Sequence, residues 1–117
     1  MYIYPKQRVP FFSIVLATYN RGYIIDKAIQ SVISQIETDW ELIIVDDGSQ
    51  DDTAQKCLQY CRENDKIRYM YHNNKGIAHA RNAGIFASAG LYVTCLLYTS
   101  DAADDLLCVA LGGPRIL

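Results

Sequence analysis

The sequence lacks the features that mark membrane proteins and nucleic-acid-binding proteins. No apolar run approaches the roughly 20 residues that span a bilayer, and the N-terminus lacks the charged-then-apolar layout of a signal peptide. The 11 basic and 13 acidic residues are mixed along the chain, with a net charge of −2, so there is no basic stripe and no basic amphipathic helix. We therefore expect no nucleic-acid partner, no membrane segment in this chain and a cytoplasmic location.

Cysteine is scarce, and its four positions do not predict a metal site. Cys57 and Cys61 lie one turn apart on a predicted helix and could share a metal ion, but no second pair of ligands lies near them. Together with Cys95 and Cys108, they are expected to be buried free thiols in a reduced compartment.

The sequence does contain enough apolar residues for one domain. It has 117 residues, of which 50% are hydrophobic, so it can bury a real core. The stretch Glu41–Ser49 begins with an apolar run that suits a central strand buried on both faces, and Asp46 and Asp47 follow directly. Ligands of open α/β sheets bind outside the carboxyl ends of strands, where these acids could accept hydrogen bonds. The alternative is a polar turn, with the acids solvated or capping the next helix.

Strands and helices alternate along the rest of the chain. Apolar residues recur at helical spacing between the strands, Asp51 to Thr53 offers capping side chains for the second helix, and Gly90 is expected to end the third. This alternation implies right-handed βαβ crossovers and a mostly parallel sheet with flanking helices, an α/β fold. The predicted strands are Phe11–Ala17, Glu41–Val45, Ile67–Tyr71 and one that begins at Leu91, and the predicted helices are Tyr23–Ile36, Thr53–Glu63 and Ile77–Ala89.

Five motifs, in order, resemble the N-terminal half of a family 2 glycosyltransferase, which has the Rossmann-like GT-A fold. The resemblance covers about residues 10–94, and the ordered set is highly specific although each motif alone is weak. Ala17 stands where the family usually has proline. The motifs are Ser13–Arg21, the helix that carries Ala28, Ser31, Val32 and Gln35, Leu42–Ser49, Asn74–Gly76 and Ala80–Gly84.

The resemblance implies that a nucleotide-diphosphate sugar binds at the carboxyl edge of the sheet. Tyr19 would stack on the base, and Arg81 would point its guanidinium toward the diphosphate. Asp46 and Asp47 would accept hydrogen bonds from the base and the ribose. This assignment requires the acid pair to share a hollow with Tyr19 and Arg81. The implied nucleotide-sugar-binding residues are Thr18, Tyr19, Asn20, Arg21, Asp46, Asp47, Ser49 and Arg81.

Several of these residues, and others nearby, have a purely structural alternative. Tyr19 could be a surface aromatic in a turn, and Arg81 could be a solvated helix residue paired with an acid. Lys75 and Asn82 are weaker candidates near the diphosphate, and Lys75 is expected to face solvent. The other residues are interpreted as structural, with His72 and His79 as non-ligands and Gly76 and Gly84 serving turn geometry and close packing.

The resemblance also implies a divalent cation, Mg²⁺ or Mn²⁺, in the full-length parent. Family members hold it with an Asp-x-Asp motif after the Gly90 strand, and in the usual register those positions fall on Leu97 and Thr99. Neither is a carboxylate ligand of the kind that these ions prefer. The acidic stretch Asp101–Asp105 is out of register and is interpreted as a decoy. We therefore expect no metal ligand and no catalytic residue in this chain, because the base also belongs to the half that follows.

Residues 95–117 are predicted to be a non-native tail, which leaves residues 1–94 as the N-terminal, nucleotide-sugar-binding part of the domain. Cys95–Asp104 resembles the translation of a transposase-based sequencing adapter, and Cys108–Ile116 is similar to translated flow-cell primer sequence. The parent would transfer a sugar from a nucleotide-diphosphate sugar to an acceptor hydroxyl, in the cytoplasm or peripheral to the membrane. This chain would be truncated, catalytically inactive and prone to marginal folding or aggregation.

Three other classes of protein fit part of this pattern. A nucleotidyltransferase would bind a nucleotide at the same edge, but it normally has a glycine-rich basic loop where this chain has Thr18–Gly22. A receiver-type signalling domain would place an aspartate at the end of its third strand, where this chain has Tyr71 and His72. A non-enzymatic interaction module would bind no nucleotide.

Overall fold

The computed structural model describes residues 10–35, 38–98 and 106–114, and within them strands and helices alternate along the chain. The elements are β1 (Phe12–Thr18), α1 (Gly22–Ile33), β2 (Trp40–Asp46), α2 (Thr53–Glu63), β3 (Ile67–Tyr71), α3 (Ile77–Ala87), β4 (Tyr92–Tyr98) and β5 (Leu106–Pro114). The first helix ends earlier than predicted, at Ile33. The predicted end at Ile36 lies outside the described residues.

The strands of the described residues form one sheet in the order β3-β2-β1-β4-β5. The first four are parallel to one another, and β5 pairs antiparallel with β4 at the edge. The prediction of a mostly parallel α/β sheet is therefore confirmed. The chain places β2 and β3 on one side of β1 and then β4 on the other, so the strand order reverses between β1 and β4. Such a switch point is where open α/β sheets form ligand crevices.

Helices cover both faces of the sheet. On one face α1 and α2 bury Leu16 and Ile44, and on the other α3 packs against Val15 and Val45. All four of these strand side chains are fully buried. Because successive side chains of a strand alternate between faces, a strand covered on both sides must be apolar throughout. This requirement explains the uninterrupted apolar runs in β1 and β2.

Glycine lets α3 lie close to the sheet. A Cβ atom at Gly84 would lie 2.4 Å from Cγ1 of Val15 and 3.1 Å from Cγ2 of Val45, so a side chain there would push the helix outward. Gly76, immediately before α3, has φ of +102°, in the left-handed region that favours glycine. Both predicted roles, close packing for Gly84 and turn geometry for Gly76, are confirmed.

The end of α3 differs from the prediction. The helix ends at Ala87, not at Ala89, because Ser88 has extended backbone with ψ of 149° and turns the chain. Gly90 therefore does not stop the helix. It lies against β1 instead, where its N–H donates to Ser13 Oγ at 2.7 Å and where a Cβ would lie 2.6 Å from the same oxygen.

A polar network that was not predicted from the sequence holds the C-terminal end of α3 against the sheet. Ser13 Oγ–H donates to Glu41 Oε2 at 2.5 Å, and the Ala89 N–H donates to the same oxygen at 2.7 Å. Arg68 Nη2 donates to Glu41 Oε1 and to the Ala87 carbonyl, both at 2.9 Å. Three adjacent strands thus hold the C-terminal end of the helix.

The segment predicted to be a non-native tail supplies the end of β4 and all of β5. The backbone pairing of β4 with β5 runs from Tyr92 to Tyr98 with one irregularity between Tyr92 and Thr94. An open strand edge offers unpaired N–H and C=O groups to any extended apolar segment that follows. The pairing therefore does not depend on the origin of these residues, and the boundary at residue 94 stays a prediction. Thr99 and the acidic stretch 101–105 lie outside the described residues.

Candidate functional site

A cavity of about 300 Å³ lies at the switch point of the sheet, between the ends of β1 and β4. The first turn of α3 and the loop after β1 form its other walls. It is therefore where the fold alone leads one to expect a ligand. The lining residues are Val15, Ala17, Thr18, Tyr19, Arg21, Ile77, Arg81, Cys95 and Leu96.

Four of the eight predicted binding residues meet at this cavity: Thr18, Tyr19, Arg21 and Arg81. Tyr19 is 36% exposed, and Arg21 Nη1 donates to its carbonyl oxygen at 3.3 Å. Among the described residues, no carboxylate forms an ion pair with either arginine. Within that part of the chain, the alternative of Arg81 paired with an acid is therefore not seen, and both permanently charged guanidinium groups face the cavity.

Asp46 is buried beneath the loops. Its side chain is 0% exposed, and Oδ1 accepts the Ser49 N–H at 2.8 Å while Oδ2 accepts the Tyr69 hydroxyl at 2.6 Å. Burial of the Tyr69 phenol and its bond to this carboxylate raise the pKa of Tyr69 above its ordinary value. Asp46 thus fixes the turn that follows β2 and anchors a side chain of β3.

Asp47 is engaged with the loop that leads into α3. It is 2% exposed; Oδ1 accepts the Lys75 N–H at 2.7 Å and contacts His72 Nε2 at 2.9 Å, and Oδ2 accepts the Gly76 N–H at 2.9 Å. Burial by itself would raise the pKa of the Asp47 carboxyl, but these hydrogen bonds outweigh it and lower the pKa below its usual value. The carboxylate is therefore charged at neutral pH.

Asn20 and Ser49 join the two loops that follow β1 and β2. The Asn20 N–H donates to Ser49 Oγ at 2.7 Å, and Asn20 Oδ1 accepts the Gln50 N–H at 2.8 Å. Asn20 has φ of +50°, a left-handed conformation that asparagine tolerates better than most residues. These contacts hold the neighbouring Tyr19 in place at the cavity.

Asp51 holds the start of two helices, a role that the sequence indicated only in part. Its Oδ1 accepts the Thr53 N–H at 3.0 Å and the Thr53 hydroxyl at 2.5 Å, which caps α2 as predicted. Its Oδ2 also accepts the Gly22 N–H at 3.1 Å, at the start of α1. Burial opposes ionisation of Asp51, but these bonds outweigh it and lower the pKa. The second contact crosses 29 residues of sequence, so local pattern carries no signal for it.

The structure therefore divides the eight predicted residues into two groups. Thr18, Tyr19, Arg21 and Arg81 line the cavity, whereas the other four form a polar network behind it. Asp46 and Asp47 are not among the residues that line this cavity, although Asp46 is the register partner of Thr18, which does line it. Direct contact of both acids with a base and a ribose stays a prediction. The weaker candidates Lys75 and Asn82 are exposed and do not line the cavity, and the four network residues are Asn20, Asp46, Asp47 and Ser49.

The residues at the expected metal positions do not fit a divalent cation. Of β4, Cys95 and Leu96 line the cavity, and neither side chain is the oxygen ligand that these ions prefer. In the part of the chain that the structure describes, no group of three His, Cys, Asp or Glu side chains could hold a metal ion. The same part contains no helix with the length and apolar character to cross a bilayer.

Comparisons with known proteins agree with this fold. A sequence profile described as Glycosyl transferase family 2 matches residues 13–96. A GalNAc(5)-diNAcBac-PP-undecaprenol beta-1,3-glucosyltransferase from Campylobacter jejuni is 34% identical over 106 residues, which cover 89% of this chain and 33% of that protein.

Two solved structures share the architecture. The crystal structure of S. aureus TarS 1-349 in complex with UDP-GlcNAc has a TM-score of 0.68 at 26% identity, covering 74% of this chain and 26% of that one. A mannosyltransferase, PcManGT from Pyrobaculum calidifontis in complex with GDP-Man and Mn²⁺, has a TM-score of 0.64 at 19% identity, covering 80% of this chain and 30% of that one. The second likeness is one of fold alone. The chain spans between 13% and 33% of the length of the curated relatives that it matches.

Proposed function

Because the chain belongs to glycosyl transferase family 2, we propose that its cavity binds the nucleotide diphosphate of a sugar donor. We further propose that the whole protein transfers that sugar to a hydroxyl group of a saccharide, lipid or protein acceptor. One observation carries the proposal: Arg21, Arg81 and Tyr19 converge on one cavity at the switch point of the sheet. Two permanent cations and an aromatic ring are the chemical complement of a diphosphate joined to a base.

Each of these side chains has a distinct role in the proposal. The guanidinium groups of Arg21 and Arg81 would each donate paired hydrogen bonds to phosphate oxygens. Their charge would stabilise the negative charge that collects on the diphosphate as the bond from sugar to phosphate breaks. Tyr19 would offer its ring to the base. The acceptor hydroxyl must lose its proton to a general base, and none of the cavity residues is a carboxylate that could take it.

The wider comparisons support a nucleotide-sugar donor without choosing its base. The solved relatives carry UDP-GlcNAc in one case and GDP-Man in the other. The mannosyltransferase also carries Mn²⁺, and we propose that the whole protein uses Mg²⁺ or Mn²⁺ as well. Leu97 occupies an expected ligand position, so we do not propose metal-assisted sugar transfer for this chain by itself. A cytoplasmic location is proposed because the free thiols Cys57 and Cys61 suit a reducing compartment.

Calorimetric titration of the 117-residue chain with UDP and with GDP tests the proposal. We expect saturable binding of at least one of them, and a loss of about tenfold to a hundredfold in its affinity in R81M, since hydrogen bonds to charged groups contribute about 1.5–3 kcal/mol. The matched control is R62M, because Arg62 is exposed on α2, does not line the cavity and donates to Gln59 on the same helix. No binding of either nucleotide, or an equal loss in R62M, would contradict the proposal.

We also propose that this chain by itself does not transfer sugar. The support is the apolar residue at an expected metal position and the lack of a carboxylate in the cavity. Release of UDP from UDP-glucose in the presence of Mn²⁺ should stay at the rate measured without protein. A turnover above that background which R81M abolishes would show that the proposal is wrong.

A further inference from the structure

Tyr69 connects β3 to the last residue of β2. Its register partner across the two parallel strands is Ile44, and its hydroxyl donates to Oδ2 of Asp46, two residues further on, at 2.6 Å. A long aromatic side chain can bridge such a diagonal between neighbouring strands. The ring is partly buried and packs against the core beneath α1 and α2. Burial and the bond to the carboxylate raise the pKa of the phenol, so it keeps the proton that it donates.

Asp46 connects this contact to the turn of residues 47–49. The carboxylate is 0% exposed, and its other oxygen, Oδ1, accepts the Ser49 N–H at 2.8 Å. Gly48 lies inside the turn with φ of +91°, and glycine by itself restricts the backbone little. The bond from Ser49 to Asp46 therefore supplies a restraint that the residues of the turn lack.

The same turn holds the loop that carries Tyr19. The Asn20 N–H donates to Ser49 Oγ at 2.7 Å, and Asn20 Oδ1 accepts the Gln50 N–H at 2.8 Å. A φ of +50° at Asn20 costs free energy, and it persists only because contacts of this kind maintain it. Tyr19 directly precedes Asn20 and lines the cavity. Because its side chain is 36% exposed, the backbone of its neighbour does much of the work of placing the ring.

We propose that Tyr69 is a positioning residue for the base of the nucleotide. Through Asp46 it fixes the turn that ends at Ser49, and through that turn it fixes the loop that carries Tyr19. Asp47 lies in the same turn, so any hydrogen bond that its carboxylate accepts from the base depends on the same contacts. The inference rests on the proposed function, that is, on nucleotide-diphosphate binding at this cavity.

The two cavity arginines are held by other elements. The Arg21 carbonyl accepts the N–H groups of Ile24 and Ile25 in α1 at 3.0 and 2.8 Å, and Arg81 belongs to α3. A change at Tyr69 should therefore weaken the contacts with the base and leave those with the diphosphate in place.

The test compares nucleotides with inorganic pyrophosphate, which has no base. Affinities for UDP, GDP and pyrophosphate are measured by NMR titration for the full chain and for Y69F. We expect Y69F to lose about fivefold to tenfold in affinity for the nucleotide that binds and to keep pyrophosphate affinity within about twofold. R81M should instead lose affinity for both by a similar factor. The matched control is Y60F, because the Tyr60 hydroxyl accepts Gln30 Nε2 at 3.1 Å on the helices and Tyr60 does not line the cavity.

Amide hydrogen exchange gives a second readout that needs no ligand. In Y69F the amides of Asn20 and Ser49 should exchange at least about tenfold faster, while the amide of Ala80 and those of β1 stay protected. If the wild-type chain binds neither UDP nor GDP, the proposed function fails, and the exchange result alone decides whether Tyr69 fixes the two loops. Unchanged exchange would overturn the inference. Unchanged nucleotide affinity, or an equal loss for nucleotide and pyrophosphate, would also overturn it.

A smaller perturbation covers the case in which Y69F does not fold. S49A removes the oxygen that accepts the Asn20 N–H and leaves the bond between Tyr69 and Asp46 in place. It should lower nucleotide affinity by about twofold to fivefold, keep pyrophosphate affinity and accelerate exchange at Asn20. Where both variants fold, Y69F/S49A should lose no more than the larger single loss, since the two changes interrupt one series of contacts. Unchanged exchange at Asn20, or additive losses, would count against the inference.

Discussion

Replacing Gly84 by alanine tests how closely α3 must lie on the sheet. The added Cβ would lie 2.4 Å from Cγ1 of Val15, and carbon atoms in good contact are about 3.5–4.0 Å apart. Val15 is fully buried in the central strand, so its side chain cannot swing into solvent. The helix must lift, or Val15 must take a poorer rotamer.

The magnitude follows from two opposing effects. Overpacking of a well-packed core costs about 1–3 kcal/mol, and alanine gains about 1 kcal/mol over glycine in helix propensity. Because the approach of 2.4 Å is severe, the cost lies in the upper part of that range, about 2–3 kcal/mol. After subtraction of the helix-propensity gain, we expect G84A to lower the free energy of unfolding by about 1–2 kcal/mol and the melting temperature by about 4–8 °C.

Urea denaturation followed by far-ultraviolet circular dichroism measures this change. N82A is the matched control, because Asn82 is exposed on the same helix and its replacement changes propensity alone, a gain of about 0.5 kcal/mol. The double variant V15A/G84A should be more stable than the sum of its single effects, since the smaller residue 15 leaves room for the new Cβ. If G84A is as stable as the wild type, the close approach of α3 to β1 is not a constraint on the fold.

Three further predictions concern the polar and buried groups. E41Q should lower the free energy of unfolding by about 1–3 kcal/mol in urea, because the salt bridge to Arg68 is lost; an unchanged midpoint would contradict the network. The pKa values of Asp47 and Asp51 are lowered by folding, so their stabilisation is present above about pH 4 and is lost as pH falls through the folded values. The stability of D51N should therefore decline less on acidification, and an equal decline would refute this. Burial raises the pKa of the Cys57 thiol to about 12, so mass spectrometry should find it unalkylated by iodoacetamide at pH 8 in the native chain; alkylation as fast as in urea would exclude its burial.

The elements of this fold could be predicted because its central strands are covered on both faces. That geometry forces apolar runs such as Leu42–Val45 in the middle of a strand, and it leaves polar residues toward the two ends of the strand. The local sequence was also sufficient to predict the roles of Gly84 and Gly76. Gly84 leaves space for the close approach of α3 to the sheet, and Gly76 adopts a positive φ. The boundaries of α3 were less predictable, because its end is set by contacts with Ser13 and Glu41 on other strands.

Four of the eight residues that the sequence indicated for the site line the cavity. Tyr19 and Arg81 line a common cavity, because Tyr19 directly follows β1 and Arg81 lies near the start of α3, which begins at the same edge of the sheet. The hydrogen-bond partners of the acids could not be predicted, since they lie far away in sequence: Asp47 bonds N–H groups 28 and 29 residues further on. Every residue except proline has a backbone N–H group, so the residue types in a single sequence do not predict such a bond.

α3 is attached to β2 at both ends, by Asp47 just beyond the strand and by Glu41 within it. Eleven helical residues extend about 16 Å at 1.5 Å each, and six strand steps extend about 20 Å at 3.3 Å each. The flanking residues Gly76 and Ala89, which carry the two attachments, add the remaining few ångströms, so the length of the helix is set by the strand. A one-residue insertion inside it would turn everything beyond by about 100° and break one attachment. Natural variation in length should therefore spare the interior of this helix.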